Sequence, residues 1–239
     1  MKNIAEKNGA TFKTADVKAV SFTDEIKKIN SGNEILYGKT VVISTGASHK
    51  KLGIANEEQL TGMGVSYCAT CDGMFYKNKT VVVVGGGNSA VSDALYLSKI
   101  CKKVYLVHRR EDLRASKVYF NQLKNAENIE ICFNTVVEKL LGENKLKGIA
   151  VKNVKNGGFK NIECDGLFVC IGRTPETEIF KGEIAIDEGG YIIGDETTKT
   201  NVKGVFVAGD VRTKDVRQIV TATADGAVAA HFIEEYLFC

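Results

Sequence analysis

The sequence predicts an α/β fold, and three observations carry that reading. The apolar runs are short, as at Val81–Val84. That is the length of a buried strand, well below the roughly 18 consecutive apolar residues of a membrane span. A strand that runs into a glycine-rich corner and then a helix recurs along the chain, the pattern of α/β layering. Glycine is abundant at 24 residues while proline occurs once, which suits tight strand–helix corners better than a loop-rich secreted scaffold. The 239 residues are enough for one large domain or two small ones. A chain that is 44% hydrophobic and 26% charged has the composition of a globular protein with a core. The formal net charge of +3 is small and scattered, which argues against a nucleic-acid partner, and no membrane partner is expected.

Residues 2–8 read as a short helix ended by Gly9, followed by strand-like material over 10–22, a turn near 30–33, and a strand-like segment over 34–45. Residues 51–66 read as a polar, loop-rich boundary. Thr80–Val84 is a strand, and Asn88–Lys99 is a helix with Ala90, Val91, Ala94, Leu95 and Leu97 on its apolar face. Then follow a strand at Val104–Val107, a helix over Ala115–Lys124 and a strand at Ile129–Phe133. A hairpin has strands near Lys147–Lys152 and Gly158–Cys164, and Gly166–Ile171 is a further strand. Residues 174–204 are irregular apart from a strand at Tyr191–Ile193. Gly204–Ala208 is a strand leading into Gly209-Asp210, and a long helix over Gln218–Tyr236 ends the reading.

The seven cysteines are Cys68, Cys71, Cys101, Cys132, Cys164, Cys170 and Cys239. The number is odd and the first residues, MKNIAEKNGATF, hold no apolar segment of the signal-peptide kind. A disulfide framework is a poor reading, and a reduced, cytoplasmic location is expected. Five of the cysteines read as small buried hydrophobes. Only Cys68 and Cys71 form a close pair.

Gly85-Gly86-Gly87-Asn88-Ser89-Ala90 follows the predicted strand and opens the predicted helix. This is G-x-G-x-x-A in a β–corner–α–β context. Gly85 permits the tight turn, Gly87 lets backbone approach a pyrophosphate, Ala90 allows close helix–strand packing, and the helix N-terminus offers free N–H donors. The next strand would end in an acid if it served NAD. Here it ends in His108-Arg109-Arg110, with Arg114 shortly after. Guanidinium groups pair bidentately with phosphate, so this tip suits the 2′-phosphate of NADP. The alternative is a solvated salt-bridged face with Glu111 and Asp112. His108 either stacks on adenine or fills space.

Ser66-Tyr67-Cys68-Ala69-Thr70-Cys71-Asp72-Gly73 is the second informative cluster. A C-x-x-C pair can close and reopen a disulfide, one thiolate attacking a partner's disulfide and the other resolving the mixed disulfide. Asp72 could serve as acid or base for a thiol, or simply form an Asp-Gly turn. A zinc site would need a second Cys/His pair, and none is visible; no metal is expected. Lying shortly before an NADP corner, the pair points to exchange between a nicotinamide and a disulfide, for which a flavin is the usual intermediary.

Together C-A-T-C-D-G, V-V-G-G-G-N-S-A, V-H-R-R-x-x-x-R, V-F-V-A-G-D-V and R-Q-I-V-T-A-T-A-D-G make the chain resemble the low-molecular-weight thioredoxin reductases, class II pyridine nucleotide-disulfide oxidoreductases, over essentially its whole length. The resemblance implies two Rossmann-like domains binding FAD and NAD(P), the NADPH domain inserted in the FAD domain. The FAD domain would comprise 1–52 and 174–239, and the NADPH domain with the C-x-x-C 53–173. It implies FAD held by Thr45-Gly46-Ala47, Gly209-Asp210 and Arg217-Gln218-Ile219. NADPH would be held by Gly85, Gly87, Asn88, Ser89, Ala90, His108, Arg109, Arg110 and Arg114. Cys71 would face the flavin, Cys68 would attack thioredoxin, and Asp72 would be the acid–base group. The family is homodimeric, and its domains rotate relative to each other in turnover. It also begins with a strand–glycine corner that receives the FAD pyrophosphate, and nothing before Thr45 matches it. At least about 30 residues of that first unit are therefore expected to be missing, leaving the FAD domain N-terminally incomplete with an unpaired sheet edge. Two alternatives follow: a non-catalytic NADP-binding remnant, or a reductase for a different disulfide acceptor.

Overall fold

The computed structural model describes residues 2–238, and Cys239 lies outside them. The chain divides into two compact units, one made of Met1–Ser48 and Thr174–Cys239, the other of His49–Arg173.

The first unit opens with helix α1 (Lys2–Lys7). An antiparallel meander follows, β1 (Ala19–Ser21), β2 (Lys27–Asn30) and β3 (Ile35–Gly38). Residues 10–18, read as strand from their alternation, are irregular and mostly exposed, so that alternation has no core to face. Next come β4 (Val41–Ile43) and β5 (Ala47–His49).

The second unit begins with the short helix α2 (Glu57–Leu60) and strand β6 (Val65–Ser66), inside the segment read as loop. Helix α3 (Ala69–Asp72) carries the second half of the C-x-x-C. Then follow β7 (Thr80–Val84), α4 (Asn88–Ser98), β8 (Lys103–Val107), α5 (Lys117–Lys124) and β9 (Ile129–Cys132), close to expectation. An antiparallel sheet comes next, β10 (Thr135–Leu141), β11 (Gly148–Asn153) and β12 (Phe159–Glu163), and β13 (Gly166–Val169) returns to the main sheet. The sequence does not announce β10 because a bulge between Val137 and Lys139 breaks its period of two. Val137 and Leu140 consequently enter the same core despite odd spacing.

The main sheet is wholly parallel, in the order β6-β13-β7-β8-β9. Its central strand is buried on both faces. Val81 and Val83 meet Ala90, Val91, Ala94 and Leu97 of α4, while Val82 and Val84 meet Val137, Leu140, Ile149 and Val151 of the antiparallel sheet. This explains the unbroken run TVVVV, since a strand covered on both sides needs apolar residues at every position. Each fully buried valine contributes on the order of 1.5 kcal/mol or more.

The first unit resumes with β14 (Arg173–Pro175), which forms a two-stranded ribbon with β5. The expected strand at Tyr191–Ile193 is reduced to single bridges of Ile192 to Ile186 and Arg212. Strand β15 (Val205–Val207) pairs in parallel with β4, placing Val205 opposite Val41 and Val207 opposite Ile43. Helix α6 (Ile219–Phe238) follows. The core holds Phe22, Ile43, Phe180, Ile184, Ile192, Val205, Val207 and Val211. Among the described residues no helix is long and apolar enough to cross a membrane.

Candidate active site

In a parallel sheet all strands end at the same edge. In the second unit that edge carries the redox loop after β6, the glycine corner after β7, the arginine tip after β8 and Cys170 after β13. The chain order reverses between β7 and β13, which is where open α/β sheets place ligands. A cavity of about 660 Å³ opens there, lined by the 85–90 corner, His108, Arg109, Arg114, Lys50, Thr135 and Cys170–Gly172 among others.

Each corner residue has a steric reason. Gly85 has φ +152°, and a Cβ on it would lie 2.3 Å from the Cys170 carbonyl oxygen and 2.6 Å from the Ala90 Cβ. Ala90 is fully buried. A Cβ on Gly87 would meet nothing within 4 Å, so its face toward the cavity is open for a pyrophosphate. The pattern G-x-G did not single out Gly86, yet a Cβ there would lie 2.2 Å from the His108 ring. His108 is thus a wall of the corner. It is 5% exposed, and burial above all lowers its pKa. Its Nε2 lies 3.0 Å from the Asp112 carbonyl oxygen, which suits donation from the neutral ring.

The arginine loop is tied to the corner. The Arg114 amide donates to the Gly86 carbonyl at 2.7 Å, and the Ser116 amide to Asn88 Oδ1 at 2.9 Å. Asn88 therefore holds the loop through its side chain. Ser89, Arg109, Arg110 and Arg114 are exposed, and of the three arginines Arg109 and Arg114 line the cavity. The residues present fit a phosphorylated dinucleotide: an open glycine corner at a helix N-terminus with guanidiniums at its rim.

Cys68 and Cys71 are joined as a disulfide with Cα atoms 5.3 Å apart. The Cys71 amide donates to Cys68 Sγ at 3.2 Å, and Thr70 Oγ1 lies 3.4 Å from the same sulfur. Hydrogen bonds to a sulfur favour its thiolate form after reduction. Ser66, buried at the end of β6, donates from Oγ to Asp72 Oδ2 at 2.7 Å and accepts the Cys68 amide at 3.1 Å. Tyr67 donates to the buried Glu57, which also accepts the amides of Leu52 and Gly53, each bond 2.9 Å. Burial, reinforced by Glu57, pushes the Tyr67 hydroxyl up to about 12. No spacing rule points to Ser66, Glu57 or Tyr67.

The remaining described cysteines, Cys101, Cys132, Cys164 and Cys170, are free. Burial raises all four, Cys101 to about 11 and Cys164 to about 12, so they stay protonated and unreactive at neutral pH. Cys170 donates to Asp93 Oδ2 at 3.1 Å. Among the described residues no group of three or more His, Cys, Asp or Glu could hold a metal ion.

In the first unit, the parallel β4–β15 pair aligns the turns that follow both strands. Gly46 (φ +77°) has open space where a Cβ would stand, and Gly209 (φ +82°) lies against the first turns of α6, 3.4 Å from the Ala222 Cβ. Thr45 Oγ1 donates to the Glu176 carbonyl at 2.7 Å, fixing the first turn. Arg217 braces the second, donating from Nε to the Asp210 carbonyl while its guanidinium stacks 4.0 Å above the Tyr191 ring. Ile219 is 85% exposed at the start of α6. The three segments expected to hold FAD thus meet at one sheet edge, and the open turn at Gly46 and the exposed apolar helix start fit a flavin.

Beneath them, Asp225 accepts from the Gly209 amide at 2.8 Å, from Arg212 through two bonds of 3.0 Å and from Lys214 at 2.7 Å. Burial alone would raise its pKa, but these donors outweigh burial and hold it at about 2. A depressed carboxylate stabilises the fold above its unfolded value and loses that contribution as pH falls through the folded value. About 2 kcal/mol of stability should therefore disappear between about pH 4 and pH 2. Asp225→Asn should lower stability at pH 7 and flatten that acid limb in denaturant titrations. An unchanged limb would mean that the cluster does not form.

The pyridine nucleotide-disulphide oxidoreductase family model matches residues 1–226. Thioredoxin reductase of Listeria innocua is 41% identical over 234 residues, covering 98% of this chain and 73% of that protein. The enzyme of Treponema pallidum is 40% identical, covering 99% and 77%. Among solved structures, thioredoxin reductase of Streptococcus pyogenes matches with a TM-score of 0.93 at 37% identity, covering 98% of this chain and 77% of that one. That of Giardia duodenalis also gives 0.93, at 35% identity, covering 100% and 79%. The family model over residues 1–226 and relatives 40–41% identical over nearly the whole chain make this chain a member of the thioredoxin reductases within the pyridine nucleotide-disulphide oxidoreductase family.

Proposed function

We propose that the chain carries electrons from NADPH, bound in the second unit at the 85–90 corner, to the Cys68–Cys71 disulfide and on to thioredoxin. As a thioredoxin reductase it is an oxidoreductase acting on disulfides, with FAD and NADPH as its cofactors. Bound FAD supplies what no side chain here can, acceptance of hydride and delivery of the electron pair to a disulfide.

The residues have distinct tasks. The corner amides and Gly87 hold the pyrophosphate, Ala90 seats the helix, and Asn88 fixes the loop whose Arg109 and Arg114 take the 2′-phosphate. Ser89, Arg110 and His108 complete the rim and wall. Thr45–Ala47, Gly209–Asp210 and Arg217–Ile219 hold the flavin. Cys71 faces the flavin, Cys68 attacks the acceptor, and Asp72 moves the proton. The NADPH domain corresponds to 53–173 and the FAD domain to 1–52 with 174–239. The enzyme works as a homodimer in the cytoplasm. Exposed Val220 and Phe238 on α6 supply apolar surface for a second copy, and four free described cysteines suit a reducing compartment.

The observation that carries this reading is the carboxyl edge of one parallel sheet, which holds both the nucleotide corner and the disulfide. A second reading, an NADP-binding protein without FAD, is favoured by the two-stranded β4–β15 ladder, which offers a flavin less sheet than the five-stranded one offers NADPH. Calorimetry separates them. The reductase reading expects saturable binding of both FAD and NADP+, and NADP+ binding alone would replace it with the second.

A further inference from the structure

We propose that Ser66 is a positioning residue for the proton transfers of disulfide exchange, holding Asp72 in place against the redox loop. The inference rests on the reading of Asp72 as the acid–base group. Ser66 ends β6, the edge strand of the parallel sheet, so its backbone is fixed by pairing with β13. It is 4% exposed. A hydroxyl has one proton to donate. The Asp72 Oδ2 at 2.7 Å is its better acceptor, since the competing Cys68 carbonyl lies at 3.4 Å. Ser66 Oγ in turn accepts the Cys68 amide at 3.1 Å. One buried side chain therefore joins the carboxylate of Asp72 to the backbone of the attacking cysteine, and it leaves Asp72 Oδ1 as the oxygen that carries a moving proton.

The exchange balances as follows. The Cys68 thiolate attacks one acceptor sulfur, a Cys68–acceptor bond forms and the acceptor disulfide breaks. The departing sulfur leaves with the electron pair and takes a proton from Asp72. The Cys71 thiol gives its proton to Asp72 and attacks Cys68 Sγ, re-forming Cys68–Cys71. The second acceptor sulfur leaves with its electron pair and takes that proton from Asp72, which regains one from water. The chain gives up two electrons and the acceptor gains them.

The protonation matters only when the departing sulfur needs it. An alkyl thiolate has a high pKa and leaves poorly unprotonated, whereas an aryl thiolate leaves readily. The full chain, pre-reduced with dithiothreitol and freed of reductant, is therefore mixed with oxidised thioredoxin or with an aromatic disulfide such as dithiobis-nitrobenzoate. Ser66→Ala is expected to slow the thioredoxin reaction about tenfold, within the range of general acid catalysis, and the aromatic reaction less than about twofold. Ser66→Thr, which keeps the hydroxyl, should restore most of the rate. Asp72→Asn should show the same selectivity at larger size. If Asp72→Asn is selective and Ser66→Ala slows both acceptors equally or neither, the role of Ser66 is overturned. If Asp72→Asn itself shows no selectivity, the reading of Asp72 fails instead.

Discussion

Alanine at both Arg109 and Arg114 is expected to lower the preference for NADPH over NADH by about 100-fold, taking about tenfold from each charge-assisted bond to the 2′-phosphate. The wild-type enzyme should therefore prefer NADPH by at least that factor. Both arginines line the cavity rim on a loop pinned by the Gly86 carbonyl and by Asn88, so the loop backbone needs little ordering on binding. Both are exposed. Water and salt screen them, which places each bond near the bottom of its range and makes the preference shrink as ionic strength rises. The measurement is kcat/KM for both nucleotides in wild type and the double variant at low and high salt. Equal use of the two nucleotides by the wild type would assign the arginines to another task. An effect on NADH as large as on NADPH would mean that the loop merely supports the corner.

The parts of this site legible in the sequence are those where geometry permits few residue types. Gly85 and Ala90 stand where a larger side chain would collide with Cys170 or with each other, so the glycine corner is written plainly. The β7 run and the α4 stripe are equally plain, because a strand buried on both faces and a helix with one buried face impose different periods. What was not legible depends on distant pairings. The parallel order that brings the ends of β6 and β7 to one edge is set by β13, nearly a hundred residues later in the chain. Ser66 and Glu57 act through hydrogen bonds that any serine or glutamate could make, and only the fold shows which ones do. The bulge in β10 hides a strand by shifting its register. The middle glycine of the corner, Gly86, is explained by His108, whose buried ring the sequence left between two roles. In the first unit, single-residue bridges around Ile192 stand where a strand was expected, because a buried isoleucine between half-buried Tyr191 and exposed Ile193 resembles strand alternation.

Serine at either Cys68 or Cys71 is expected to lower thioredoxin reduction by more than about 10³-fold, the scale of losing a nucleophile or its resolving partner. The loss should not extend to the nucleotide half of the reaction. The corner after β7 is a separate turn from the loop after β6, with β13 between their strands, so NADP+ should bind both variants as it binds wild type. The four free described cysteines cannot substitute, because burial keeps each a protonated thiol. The most direct test joins the two halves. Enzyme loaded with FAD receives one equivalent of NADPH without oxygen or acceptor, is quenched with an alkylating reagent, and is mapped by mass spectrometry. Label is expected on Cys68 and Cys71 in proportion to the NADPH oxidised, and none of this gain at Cys101, Cys132, Cys164 or Cys170. NADPH consumed while Cys68 and Cys71 remain joined would contradict it.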